Sequence, residues 1–283
     1  MNNIIYSDKR RVEKILKKIK KDGVLKLHFL ADFDRTLTYS LINGEKKPSL
    51  ISVIRSDPKY LGKKYSNKAN KLFDHYYPIE IDPNISLEEK SKKMSEWWVA
   101  HLNLLVESGL NINHIDEIVN SGIIKLRLGV IKLLKNLYKQ EIPLIILSAN
   151  GLGGDSIIDY LKFNNLYTSN IEVVSNKFIF NEKGYAIGYD SNVIHVFNKG
   201  EVVFDNFPIV KEKIKGRKNI ILLGDSLGDT NMADGVEYDN LLKIGFYNDK
   251  NDKNLDKYLE KFDILLTGDS DGDFLNNILT EKS

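Results

Sequence analysis

Val24-Leu25-Lys26-Leu27-His28-Phe29-Leu30-Ala31-Asp32-Phe33-Asp34-Arg35-Thr36 is the stretch on which the fold turns. Residues 24–31 are mostly apolar and of strand length, so they read as a buried strand. That strand runs straight into the acidic loop Asp32-Phe33-Asp34, and Thr36 follows. Two carboxylates this close repel unless a cation or a shared proton intervenes. They make chemical sense if they divide labour around a metal, the first acting as nucleophile and ligand and the second moving a proton. Asp-x-Asp-x-Thr alone is a weak signal, because short acidic clusters mostly form solvated turns or caps. Its position at the end of a buried strand is what favours chemistry.

Outward from this strand the chain changes character. Residues 40–122 carry helical patterns (86–107 and 113–120), Pro and Gly breaks, many aromatics and few strand-like runs. Regular alternation returns afterwards. Helices are expected over 128–140, 154–163 and 207–215, and strands over 143–147, 171–174, 219–223, 241–246 and 264–266. Residues 178–189 and 192–197 suggest a hairpin with Gly184 near its turn. This pattern predicts an α/β fold, a Rossmann-like parallel sheet core with helices on both faces. The expected division is a core of residues 1–40 and 123–283, with 41–122 inserted as a helical cap.

Composition narrows the function classes. No run approaches the roughly eighteen apolar residues of a membrane span. The charged N-terminus lacks the apolar segment of an export signal, so the cytoplasm is the expected location. The absence of cysteine excludes disulfides and thiolate metal sites. A net charge of +2 is too small to indicate a stable nucleic-acid partner, and a monomer is expected. Residues 1–26 are nonetheless basic, with nine Lys/Arg against three acids. There Val12, Ile15, Leu16 and Ile19 share one helical face, which fits a basic-backed helix docked on the core, the alternative being a membrane-surface or RNA-binding helix.

Ligands in such folds bind at the carboxyl ends of the strands. Gly224-Asp225-Ser226-Leu227-Gly228-Asp229 follows the strand at 219–223 and supplies two more carboxylates. The plain reading is a loop with an N-cap at Ser226 or Asp229. The chemical reading is an all-oxygen set of aspartates, Asp32, Asp34, Asp225 and Asp229, suited to Mg²⁺. Ser148-Ala149-Asn150 follows the strand at 143–147, where a hydroxyl and backbone N–H groups can hold phosphate oxygens. Lys199 follows the strand-like 193–197 and supplies the cation that phosphate and crowded aspartates need.

In the order Asp-x-Asp-x-Thr, Ser, Lys, Gly-Asp-x-x-x-Asp, these loops resemble the haloacid dehalogenase-like phosphatase superfamily. His75-Tyr76-Tyr77-Pro78-Ile79-Glu80-Ile81-Asp82-Pro83 and Glu96-Trp97-Trp98 are similar to the cap of its cytosolic pyrimidine 5′-nucleotidase family. The similarity extends to Ile124-Lys125-Leu126-Arg127, Val173-Val174-Ser175-Asn176, His195-Val196-Phe197-Asn198-Lys199 and Met232-Ala233-Asp234-Gly235-Val236. Members hydrolyse pyrimidine 5′-monophosphates, and some prefer 7-methylguanosine monophosphate. The resemblance implies Asp32 as nucleophile and Asp34 as general acid/base. It implies Mg²⁺ on the Asp32 carboxylate, the Asp34 carbonyl and Asp225, and phosphate held by Ser148, Ala149 and Lys199. Glu80 falls where the family binds the base, His101 falls at a further cap contact, and Trp98 offers a stacking face. The family's Ser-Ala-Gly loop is here one residue longer, Ser148-Ala149-Asn150-Gly151.

Three other readings stay open at this point. One is a phosphatase for another small monoester such as phosphoserine, which would not need an aromatic cap. Another is a non-catalytic nucleotide-binding protein, which is expected to have lost one of the four aspartates. The third is phosphotransfer to a second nucleoside, which the same intermediate permits.

Overall fold

The computed structural model describes residues 3–82, 84–200, 207–248 and 254–280; Pro83 of the cap motif lies outside them. Its strands are β1 Asn3–Tyr6, β2 Leu27–Ala31, β3 Leu41–Ile42, β4 Glu45–Lys46, β5 Leu144–Leu147, β6 Ile171–Val174, β7 Phe178–Phe180, β8 Ala186–Tyr189, β9 Asn219–Gly224, β10 Asn240–Tyr247 and β11 Ile264–Thr267. Seven of them make one sheet in the order β1-β11-β10-β9-β2-β5-β6. All neighbours run parallel except the edge strand β1, which is antiparallel to β11.

The sheet is buried on both faces because its strands are apolar at successive positions, and successive side chains point to opposite sides. Phe29, Ala31, Leu144, Ile146, Ile221 and Leu223 belong to one core cluster. That cluster also takes Val12 and Ile19 from α1 (Lys9–Asp22), Leu133 and Leu137 from α6 (Leu128–Lys139), and Ile157 and Leu161 from α7 (Gly154–Phe163). Leu30, Ile145, Leu147, Ile220 and Leu222 face the other way, with Val210 of the helix Pro208–Lys213. Helices therefore cover both faces, as the alternation predicts. Each strand residue fully removed from water contributes about 1.5–3 kcal/mol, so the doubly covered strands anchor the fold.

Between β4 and α6 run four helices, α2 Leu50–Ser56, α3 Pro58–Ile81, α4 Leu87–Glu107 and α5 Ile112–Asn120. The sequence shows α4 and α5 plainly. It hides α3, because Gly62 sits inside it at φ 77 and Pro78 interrupts its last turns. No helix among the described residues is long and apolar enough to cross a membrane.

Three local expectations are corrected. Val24–Lys26 form a short 3₁₀ turn, so the first sheet strand of the motif starts at Leu27. Gly23, at φ 80, ends α1 by donating to Ile19 O at 3.1 Å, and the three residues after it turn the corner. β1 has no counterpart in the sequence reading, since a four-residue edge strand near the terminus carries little pattern. Finally, residues 192–197 are not a strand. The hairpin is β7 with β8 alone, with Gly184 in its turn as expected.

Candidate active site

Register brings the motif loops to one edge of the sheet. Ala31 of β2 pairs with Ile146 of β5 on one side and with Leu223 of β9 on the other. Asp32 thus emerges one residue past the paired level, and Ser148 and Asp225 two residues past it. The Asp32 N–H donates to Leu223 O (3.0 Å) and the Ser148 N–H to Val174 O (3.0 Å), fixing both turns to their neighbours.

Lys199 is the hub of the charged centre. Its Nζ donates to Asp32 Oδ1 and Asp229 Oδ1, both at 2.6 Å, and only 3% of the residue is exposed. The other oxygen of Asp229 accepts from the Asp225 N–H (3.1 Å), the Ser226 N–H (2.9 Å) and the Ser226 hydroxyl (2.8 Å). Asp229 can fold back this way because Gly224 ends β9: a methyl there would stand 2.4 Å from Asp229 Cβ. The Thr36 hydroxyl reaches Asp225 Oδ1 at 3.5 Å. Asp34 accepts from the Leu50 N–H at 3.3 Å, which ties the acid to the first residue of α2.

One ammonium cannot neutralise three carboxylates, of which Asp32 and Asp229 are buried and Asp225 half-buried. Burial pushes the Asp32 carboxyl up to about 7; Lys199 pulls it down, and Asp229 and Asp34 push it further up. Burial also raises Asp225 well above the ordinary range, with Asp229 and Asp32 adding to it, and raises Asp34. Burial alone would lower the Lys199 ammonium, but Asp229 and Asp32 outweigh it and hold it above its ordinary value. The two directions are compatible: the shared lysine stays charged, and the less compensated Asp32 takes up protons readily. Ligand oxygens of Asp32, Asp225 and Asp229 lie within 4.8 Å of one another. This hard, all-oxygen, under-neutralised set fits a divalent cation. Both Asp229 oxygens are engaged by protein donors, which leaves Asp32 and Asp225 the more open ligands.

The Lys199 loop is built by side chains from a distance, which is why it reads as a strand in the sequence and is not one. Asn176 donates to Ile194 O (3.0 Å) and accepts from the Ile194 N–H (2.8 Å). Asn198 accepts from the His195 N–H (2.7 Å) and donates to Val193 O (2.9 Å). With these backbone groups satisfied, no partner strand is needed. His195 Nδ1 accepts from the Phe197 N–H (3.2 Å), so its proton sits on Nε2, 3.0 Å from Ser95 Oγ of α4. Neither asparagine was singled out as functional in the sequence, although both stand inside the motifs quoted above.

Asn150 braces the loop after β5 from within. Its Oδ1 accepts from the Leu152 N–H (3.0 Å) and its Nδ2 donates to Ser156 Oγ (2.8 Å). Ser148 is buried beside it and Ala149 is half-buried. The helical segment leans on this loop. A methyl on Gly151 would lie 2.9 Å from the Trp98 ring and 2.8 Å from Ile51.

The remaining expected residues lie on the helical side of the cleft. Glu80 lies in the last turn of α3, half-buried, and Lys90 donates to its carbonyl at 2.8 Å. Burial pushes its carboxyl up to about 7; Arg35, Lys90 and Lys199 pull it down while Asp229 pushes it up, so it feels the charged centre directly. Trp98 lies between Trp97 (6.2 Å, 21°) and His101 (6.2 Å, 53°). His101 is buried, with Nε2 3.3 Å from the Tyr65 hydroxyl, and burial lowers it to about 4, so it is neutral and stands behind the tryptophan.

A parallel sheet whose central strand ends in Asp32-Phe33-Asp34, beside a lysine shared with a second acidic loop, defines a phosphohydrolase of the haloacid dehalogenase-like class. Solved phosphoserine phosphatase, with its substrate bound, shares that fold: TM-score 0.53, 17% identity, 91% of this chain and 98% of that one. The likeness to cytosolic 5′-nucleotidase IIIB bound to cytidine is much fuller, with TM-score 0.88, 29% identity, 99% of this chain and 93% of that one. The 7-methylguanosine phosphate-specific 5′-nucleotidase of Homo sapiens is 36% identical over 270 residues, 95% of this chain and 89% of its own. Form B of that enzyme from Xenopus laevis is 38% identical over 263 residues, 93% of this chain and 89% of its own. The family model for pyrimidine 5′-nucleotidase (UMPH-1) matches residues 35–282, and the chain belongs to that family of phosphomonoester hydrolases.

Proposed function

We propose that this protein is a Mg²⁺-dependent cytosolic 5′-nucleotidase acting on pyrimidine and 7-methylguanosine 5′-monophosphates. The observation that carries the reading is the buried lysine bridging Asp32 and Asp229, with Glu80 within its field and Trp98 packed on the loop after β5. The names of the relatives above support the two base classes.

Asp32 and Asp225, with the Asp34 carbonyl, would hold the metal; when bound it supplies positive charge that lets a phosphate dianion approach a carboxylate. Lys199, Ser148 and the Ala149 N–H orient the phosphoryl oxygens. An Asp32 oxygen forms a bond to phosphorus as the bond from phosphorus to O5′ breaks. Asp34, kept protonatable by burial, gives its proton to O5′. It then takes a proton from water, whose oxygen bonds to phosphorus and restores the Asp32 carboxylate. The segment 41–122 acts as the cap: Glu80 and Trp98 read the base, and His101 backs Trp98. Asp34 is joined to this cap through the Leu50 N–H, so closure and acid placement are coupled.

The test is phosphate release from cytidine, uridine and 7-methylguanosine monophosphates and from phosphoserine, in Mg²⁺ and in EDTA. Metal-dependent release from the nucleotides is expected. Undiminished turnover in EDTA, or turnover of phosphoserine alone, would overturn the reading.

A further inference from the structure

Arg127 opens α6 and is buried, with 1% exposed. Among the described residues it has no carboxylate partner within ion-pair distance. Its donors go instead to three loops at the active edge of the sheet. Nε donates to Thr36 O (2.9 Å), and Nη2 donates to Arg35 O (2.7 Å) and Asn248 Oδ1 (2.8 Å). Nη1 donates to Ser270 O. The guanidinium lies 4.2 Å from the centre of the Phe246 ring and 5.3 Å from that of Tyr39. Asn248 doubles the grip by donating to Arg35 O at 3.2 Å.

A buried guanidinium costs several kcal/mol of desolvation, and a structural role alone would be met more cheaply by an apolar side chain. What the arginine grips is informative. Arg35 sits at φ 65, a conformation side chains rarely adopt, between Asp34 and Thr36. Inside the turn the Arg35 N–H donates to the Thr38 hydroxyl (2.8 Å) and the Thr38 N–H to Phe33 O (3.1 Å), while the Arg35 and Thr36 carbonyls are held from outside by Arg127; losing that hold would let Arg35, and Asp34 before it, relax. A planar fork with fixed donor directions can pin two successive carbonyls; a lysine, with one ammonium, cannot reproduce that geometry.

We infer that Arg127 is a positioning residue for the reaction, clamping the Arg35 and Thr36 carbonyls so that Asp34 presents its oxygens to metal and leaving group. The inference rests on the function proposed above. Outer partners that orient ligands in this way affect metal binding more than binding of the remote base.

The experiment compares wild type, R127K, N248A and a core control, L137A, on the buried face of the same helix. Mg²⁺ binding is read by calorimetry on chelated protein, and by the rise of melting temperature with Mg²⁺. In R127K the Mg²⁺ midpoint should rise about tenfold and kcat fall about tenfold, with nucleotide KM within about threefold. N248A should shift the metal midpoint about threefold, and L137A should melt earlier in EDTA with its midpoint unmoved. A folded R127K with midpoint and kcat within about twofold of wild type overturns the inference. If R127K does not fold, an unmoved midpoint in N248A overturns it instead. Wild type lacking Mg²⁺-dependent hydrolysis would sink the underlying reading, while the calorimetric comparison still judges the clamp.

Discussion

Replacing Asp32, the proposed nucleophile, should make the metal-free protein more stable. In Asp32→Asn the amide keeps the shape and can still accept from Lys199, but it carries no charge. Wild-type Asp32 is held at about 7 against an ordinary 3.8. Because the folded value is raised, its favourable contribution is complete below pH 3.8 and is lost as pH rises through 7. Above pH 7 the ionised carboxylate therefore costs the fold about 4 kcal/mol, and at pH 5.5 about half of that. That cost already includes the pull of Lys199; an amide fits the site less well than a protonated carboxyl, which leaves a net gain of about 2 kcal/mol at pH 8. That corresponds to a melting temperature roughly 4 °C higher. The assay is thermal denaturation of both proteins in EDTA at pH 8 and pH 5.5, repeated in Mg²⁺. The advantage should shrink at pH 5.5 and reverse in Mg²⁺, since only wild type keeps the full ligand set. Turnover should fall by several orders of magnitude throughout. A variant that melts below wild type in EDTA at pH 8, or a gap indifferent to pH, refutes the charge argument.

The helical side yields two further expectations. Trp98→Ala should cut kcat/KM on nucleotides by about tenfold while sparing a small base-free phosphate ester, a split seen by assaying both in one preparation; equal losses would mean that the ring holds the cap together. Glu80, at about 7, accepts hydrogen bonds from a cytosine amine when ionised and can donate to a uracil carbonyl when protonated. The preference for cytidine over uridine monophosphate should therefore grow between pH 6 and pH 8 in competition assays, and Glu80→Gln should flatten that trend.

Much of the fold was legible because the central strands are buried on both faces and stand out as apolar runs; 144–147 and 219–223 need no tertiary knowledge. The acidic loops were legible because Asp32, Asp34, Asp225 and Asp229 follow such runs. The Lys199 loop was not, since its conformation is set by Asn176, roughly twenty residues upstream in the chain, and no periodicity encodes a side chain standing in for a strand. Arg127 was quoted for its likeness to the family but given no task. A lone arginine between two leucines reads as a surface cation, and only the structure shows its donors spread over Arg35, Thr36, Asn248 and Ser270. The kinked α3, which carries Glu80, was masked by Gly62 and Pro78.

The charge arrangement explains why the helical side and the sheet edge belong to one machine. Burial, with Asp229 and Asp32 adding to it, raises Asp225 well above the ordinary range, and Lys199, already shared by Asp32 and Asp229, does not outweigh it. On the proposed function a divalent ion would answer that surplus, and a phosphate dianion would then answer the ion. Each addition changes the field felt by Glu80, whose carboxyl responds to Arg35, Lys199 and Asp229. A lysine paired to a single carboxylate would leave a neutral site with no reason to bind a cation. A second lysine would satisfy the acids outright, and Asp32 would lose its exposure to an incoming phosphorus. One buried ammonium among three acids, two of them buried and Asp225 half-buried, is a composition that on the proposed function leaves a metal, and through it the substrate, to complete the neutralisation.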